Sequence, residues 1–230
     1  TGRYGTKVML DIFKEQKKID YQLDIEAAAA LSQSEIGLIS TSIAKDIAKV
    51  SKSGKITAKR IKQLESKSDH DTAALVEALA EKCKKESRPW IHYGLTSNDL
   101  VDTSNSMQMR DAIKIIQPKV SKLSLLLSKN AVKYKNIPAV GRTHGQHASI
   151  ISFGLKFANW AAEMSTHLER LDEIKKRVLI CKTMGVVGTG SLMGKNAIRV
   201  QERVARKLGL YPAKVTTQII PRERYAEYIF

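Results

Sequence analysis

Residues 92–103, HYGLTSNDLVDT, place a histidine, Thr96, Ser97, Asn98 and the carboxylates Asp99 and Asp102 within one short stretch. Gly94, followed closely by Thr-Ser-Asn-Asp, predicts a tight turn and a helix N-cap. A helix N-terminus presents free backbone N–H groups and positive dipole, so the same segment suits an anion. Alone, the stretch reads as a well-capped helix. A second polar island, GRTHGQH at 141–147, adds two more histidines between long helical patterns, where a bundle has no packing use for them. Together the islands point to a site built at helix ends.

The elements that must carry these islands are helical. Residues 7–31 show apolar positions at three- and four-residue steps, an amphipathic helix or two. Ser53-Gly54 interrupts the next segment, and Thr57 is placed to cap a helix reaching about Ser66. The polar SKSDHD precedes a further helix, TAALVEALAEKCKKE, ending near Arg88-Pro89. That proline marks the expected boundary between a small N-terminal helical domain, 1–93, and the first part of a central long-helix bundle, 94–230. Beyond it the pattern predicts a helix over 97–117, a start or kink at Pro118 with helix to about Tyr134, and an uninterrupted helix over 149–182. The last would run roughly 50 Å, and Phe157, Ala161, Met164, Leu168, Leu171, Ile174 and Val178 follow a three/four step along it. Such a stripe cannot be buried within a domain of this size without long partners. The expectation is an all-α chain: a small N-terminal helical domain followed by an elongated bundle that assembles between subunits.

Composition narrows the class. The chain has 230 residues, 43% of them hydrophobic, enough for a real core. No apolar run reaches membrane-spanning length and the start TGRYGTKVML lacks a signal-peptide pattern. Cys83 and Cys181 are far apart and outside any metal-site spacing, which fits free thiols in a reducing compartment. The reading is a cytoplasmic protein with no metal. The net charge of +16 is uneven: 17 basic and 13 acidic side chains in 1–93, against 22 and 10 in 94–230. A basic surface can serve nucleic acid or membrane, but only 6% of residues are aromatic and no stacking cluster appears. Polyanionic small substrates explain the charge equally well.

The glycine-rich GVVGTGSLMGKN at 185–196 imitates two nucleotide motifs and satisfies neither. A phosphate-binding loop of the Walker type needs glycine where Thr189 stands and Ser or Thr where Asn196 stands. A dinucleotide-binding fingerprint fails at Met193 and lacks a preceding strand. The segment is read as a connection whose glycines serve turns.

The two islands resemble the fumarase/aspartase superfamily of lyases, in which polar segments at helix ends meet in one site. Within it the resemblance is to the branch that removes fumarate from adenylosuccinate and from a succinyl-carboxamide ribotide. Such an elimination needs a base to take a proton from the succinyl β-carbon, groups to hold the carbanion's carboxylates, and an acid for the departing nitrogen. A histidine is a suitable acid near neutral pH. Thr143-His144-Gly145-Gln146 matches the family's Thr-His-x-Gln motif, which implies His144 as the catalytic acid and Thr143 as a carboxylate ligand. Arg3-Tyr4 matches an Arg-Tyr pair near the N-terminus, implying phosphate binding, and Arg does offer phosphate a planar fork. His70-Asp71 matches a His-Asp pair, with His70 near the phosphate and a second catalytic candidate aiding the acid. Asp69 stands where a basic residue commonly precedes that histidine; it would raise the proton affinity of His70 and remove a cation from the site. Thr96 and Ser97 match the Thr-Ser pair that contacts substrate, and Asp99 falls at an acidic position of the site. Gln218 matches a substrate-binding glutamine, followed by Arg222 and Arg224, with Tyr225 replacing the usual histidine.

The resemblance implies no cofactor, a succinyl nucleotide as small-molecule partner, and a homotetramer with active sites shared between subunits; it implies no membrane or nucleic-acid partner. GSLMGKN differs in spacing and order from the superfamily's signature loop, which lies beyond the position of Gln218. The loop with its serine base and the C-terminal domain are not among these residues, so this piece alone is expected to be inactive. Two alternatives stay open: a sister lyase acting on argininosuccinate or a related succinyl compound, and a non-enzymatic basic helical module for nucleic acid or a protein partner.

Overall fold

The computed structural model describes residues 3–229. In chain order these form α1 (Lys7–Ile12), α2 (Glu15–Glu35), α3 (Thr41–Ser51), α4 (Ala58–Ser68), α5 (Asp71–Lys82), α6 (Ser97–Lys133), β1 (Pro138–Thr143), β2 (Gln146–Ser152), α7 (Phe153–Val178), β3 (Ile180–Cys181), α8 (Ala197–Leu208), β4 (Tyr211–Pro212) and α9 (Glu223–Ile229). The fold is all-α, with an antiparallel β1–β2 hairpin and a short parallel β3–β4 pairing as its described strands. The closing run AEYIF is described as far as Ile229.

The chain forms two compact units: one holds the chain up to Asp111 and from Lys176 onward, the other is Ala112–Lys175. The first does not divide at 93/94. The Tyr21 hydroxyl donates to Asp111 Oδ2 (2.7 Å) and Gln108 Nε2 to the Ile12 carbonyl (3.0 Å), so residues on both sides of that point share one core.

At the centre of the first unit lies α2, buried on several sides through Ile19, Tyr21, Leu23, Ile25 and Ala27–Ala30. The alanine run lets neighbours approach closely, and α3 and α8 pack on it with Ala44, Ile47, Val200, Val204 and Leu208. The expected Thr57 cap is present, its Oγ1 accepting from the Arg60 N–H, and Ser40 Oγ caps α3 in the same way by accepting from the Ile43 N–H.

Two expected boundaries are corrected. Helix α6 continues through Pro118, where the sequence suggests a break. The stretch 149–182 is not one helix: α7 has 26 residues, preceded by strand β2 and followed by β3. Ile150 and Ile151 are β-branched and take extended backbone instead. Residues 179–181 are buried and pair with β4.

In the second unit the end of α6 and α7 run antiparallel. Gln117 meets Asp172 and Lys175, Ser124 meets the Ala161 carbonyl, and Tyr134 stacks against Phe153 and Phe157. A Cβ on Gly154 would sit 2.4 Å from the Ala131 carbonyl oxygen, so the helices meet there backbone to backbone. Within 157–174 the predicted stripe is the partly covered face of α7.

Candidate active site

Two helix N-termini converge on one pocket of about 310 Å3. Its polar lining is His70 and Thr72 at the start of α5 with His92, Thr96 and Ser97 at the start of α6; Ala73, Val76 and Leu95 supply the apolar wall. His70 is the N-cap of α5, its Nδ1 accepting from the Ala73 N–H at 3.2 Å, and lies 3.7 Å from Asp71 Oδ1. Asp71 in turn accepts from the Thr72 N–H at 2.6 Å. Asp69 ends α4 in the left-handed region (φ 50°), its N–H on the Glu65 carbonyl. Converging helix dipoles and two imidazoles make this pocket receptive to an anion.

The start of α6 is fastened from below. Asp99 Oδ2 accepts from the backbone N–H groups of Thr96 and Gly185, each at 2.9 Å, and Asp99 Oδ1 from Lys182 Nζ. Asp99 and Lys182 both have 0% exposure. Burial pushes the Asp99 carboxyl up, while the Lys182 ammonium and the two N–H groups pull it back. Expected as a substrate contact, Asp99 instead lies beneath the pocket with both oxygens occupied, and holds the turn that presents Thr96 and Ser97.

His92 is held from behind. Its N–H donates to Glu26 Oε2 at 2.9 Å, and its Nδ1 lies 2.6 Å from Glu26 Oε1, on a carboxylate only 2% exposed. The residue sits at φ 61°, a left-handed conformation that side chains rarely adopt and that these two bonds help to fix. Burial opposes the imidazolium, but the hydrogen bond and charge of Glu26, aided by the field of Asp99, outweigh it and raise the His92 pKa.

Thr143 and His144 belong to the second unit. Thr143 pairs with Gln146 across a two-residue hairpin turn, His144-Gly145, in which both residues have positive φ (51° and 74°), as a type I′ turn requires. Gly141 sits at an irregularity of the ladder, and His144 stands exposed at the tip. Elsewhere, Arg3 and Tyr4 are exposed and stack on each other at 5.4 Å. Gln218 is exposed on a bend whose continuation is tied to buried Asp102: the Ile220 N–H (2.8 Å), Arg222 Nη1 (2.6 Å) and the Tyr225 hydroxyl (3.0 Å) all donate to that carboxylate. Burial and the Asp102 charge push the Tyr225 phenol up to about 12.

A model of the lyase family matches residues 2–230. The chain is a member of the lyase family. It is 42% identical to "Adenylosuccinate lyase" of Methanocaldococcus jannaschii, 39% to that of Methanothermobacter thermautotrophicus and 35% to that of Thermotoga maritima, each alignment covering 99% of this chain. The chain spans about half the length of these curated relatives, 49% of the first and 51% of the other two. Among solved structures, fumarate lyase from Mesorhizobium sp. BNC1 matches with a TM-score of 0.89 and 29% identity over 98% of this chain and 54% of that one. The 3-carboxy-cis,cis-muconate lactonizing enzyme from Pseudomonas putida matches with a TM-score of 0.90 and 28% identity over 99% of this chain and 52% of that one.

For this lyase chain, sequence reasoning named His70, Thr96 and Ser97, which share the pocket, and passed over three residues that organise it. Glu26 had a visible signal: a carboxylate within the apolar run IEAAAAL, costly to bury without a partner. Lys182 had none, since it stood as the last residue of a presumed helix. His92 was noted for its company and given no role. The glycines at 185, 188, 190 and 194 all have positive φ, as a turn-rich connection requires.

Proposed function

We propose that the protein carrying this chain is an adenylosuccinate lyase, cleaving adenylosuccinate to AMP and fumarate and removing fumarate from the succinyl-carboxamide ribotide of purine biosynthesis. The observation that carries the reading is the pocket in which two helix N-termini, His70 and His92 converge. A substrate bearing one phosphate and two carboxylates needs such ends. Arg3 and Tyr4 extend the phosphate contacts, Asp69 and Asp71 flank His70, and Thr96, Ser97, Thr143 and Gln218 bind the succinyl nucleotide.

In the reaction a base removes a proton from the succinyl β-carbon. The carbon–nitrogen bond then breaks, its electron pair leaving with nitrogen, which His144 protonates. His144 suits the task because a hairpin tip exposes its ring, with His70 in an assisting role. The base comes from sequence outside these residues, so this piece by itself releases no fumarate. Exposed Leu125, Leu126, Val132, Leu155 and Trp160 on α6 and α7 support assembly into a homotetramer with shared sites. The free, buried Cys83 and Cys181 suit a cytoplasmic enzyme.

The test is to offer the full-length protein adenylosuccinate and argininosuccinate and follow fumarate release. Turnover of adenylosuccinate alone is expected; turnover of argininosuccinate alone, or of neither, overturns the reading.

A further inference from the structure

His92 lines the pocket, yet its protein contacts lie on the side away from it. Both Glu26 oxygens are committed to this one residue, one to the backbone N–H at 2.9 Å and one to Nδ1 at 2.6 Å. Glu26 reaches it from the middle of α2, among Ile25, Ala27 and Ala28, where an unpaired carboxylate would be expensive. Among the described residues Nε2 has no hydrogen-bond partner. A carboxylate with one partner and an imidazole with one free nitrogen form a directed pair, with the anion at the rear and the open nitrogen available to a ligand.

The structure assigns Glu26 as the positioning residue of the anion pocket: its carboxylate fixes the His92 ring through Nδ1 and keeps it a cation whose Nε2–H is offered to a phosphate or carboxylate dianion. This rests on the pocket being the substrate's anion site and adds what makes it cationic near neutral pH. Other groups act on the ring less directly. From α6, Asp99 adds negative field and is itself paired with Lys182. From α5, His70 faces the same pocket but spends Nδ1 on the Ala73 N–H and stands beside Asp71. Cation–anion attraction at a part-buried ring is worth more than in open water, so one protonated imidazole can control affinity.

The experiment uses the full-length protein with inorganic phosphate and, separately, fumarate as probes, comparing wild type, Glu26→Gln, Glu26→Asp and His92→Gln. Phosphate binding by wild type should persist at about pH 8, whereas Glu26→Gln should bind about tenfold more weakly there and recover at about pH 6, where an unassisted histidine protonates. Glu26→Asp should restore part of the high-pH binding. Equal weakening of Glu26→Gln at both pH values, or no weakening, overturns the assignment, because a purely structural carboxylate would not move the pH profile. Should Glu26→Gln fail to fold, the wild-type ring decides the matter: NMR of labelled histidine must show His92 titrating above 6.5, and titration at or below that value overturns the proposal. His92→Gln separates the two layers. If it binds phosphate as wild type does, the anion reading of the pocket itself fails; if it loses binding while the profile of Glu26→Gln is unmoved, only the role of Glu26 fails. Preference between the two probes shows whether the ring faces a phosphate or a succinyl carboxylate.

Discussion

Lys182 and Asp99 are fully enclosed and paired with each other. Removing one leaves the other buried and uncompensated, a change that costs about 3–5 kcal/mol. Lys182→Met should therefore lower the urea midpoint sharply and loosen the turn holding Thr96. The Glu26–His92 pair makes a different, pH-dependent contribution. The folded pKa of His92 is raised above its ordinary 6.5, so the stabilisation is fully present below that value and is lost as pH rises through the raised one. Glu26→Gln should accordingly depress the melting temperature more at about pH 6 than at about pH 9. His144 is exposed at its hairpin tip and contributes little to folding. In the full-length enzyme His144→Ala should reduce kcat by about 10²–10⁴-fold, with KM and melting temperature little changed; undiminished turnover would remove it as the acid.

Among the elements, two helix starts carry the pocket, and a strap tied to Asp102 carries Gln218. The starts of α5 and α6 were legible, because the polar SKSDHD precedes one apolar periodic run and Gly94 with Thr-Ser-Asn-Asp marks the other; that His70 itself caps α5 was not. The strap formed by 218–225 was not. Asp102 reads as one more polar residue near a helix start, yet the fold gives it the Ile220 N–H, Arg222 and Tyr225 as partners. Asp102→Asn should loosen that strap and raise KM through Gln218 more than it lowers kcat, with helix content by circular dichroism unchanged. The β1–β2 hairpin also escaped sequence reading. Its turn is His-Gly, not the Asn-Gly or Asp-Gly that signals type I′, and its second strand merges with the helical pattern of α7. Gly154→Ala should test the backbone contact below that hairpin: the added methyl meets the Ala131 carbonyl and should cost about 1–3 kcal/mol, read as a lower melting temperature.

At the scale of the molecule, the unit Ala112–Lys175 exposes more large apolar surface than a solvated helical hairpin tolerates, with Leu125 at 58% and Val132 at 67% exposure. In the full-length protein, Leu126→Glu with Leu155→Glu should lower the oligomeric state seen by light scattering and abolish turnover along with it. Wild-type oligomer mass and activity in that variant would mean the face is not an assembly surface. These 230 residues expressed alone should fold, by circular dichroism, and release no fumarate.

From sequence alone came the all-α class, the polar islands, the starts of α4, α5 and α6, and the family resemblance. All of these are written in local spacing or in a short motif. Only the tertiary structure set Glu26 behind His92, Lys182 beneath Asp99 and Asp102 under the strap, because the partners stand 66, 83 and 118 to 123 positions apart. A buried charge takes whichever counter-charge the packing brings within reach, and no local pattern of residues encodes that choice.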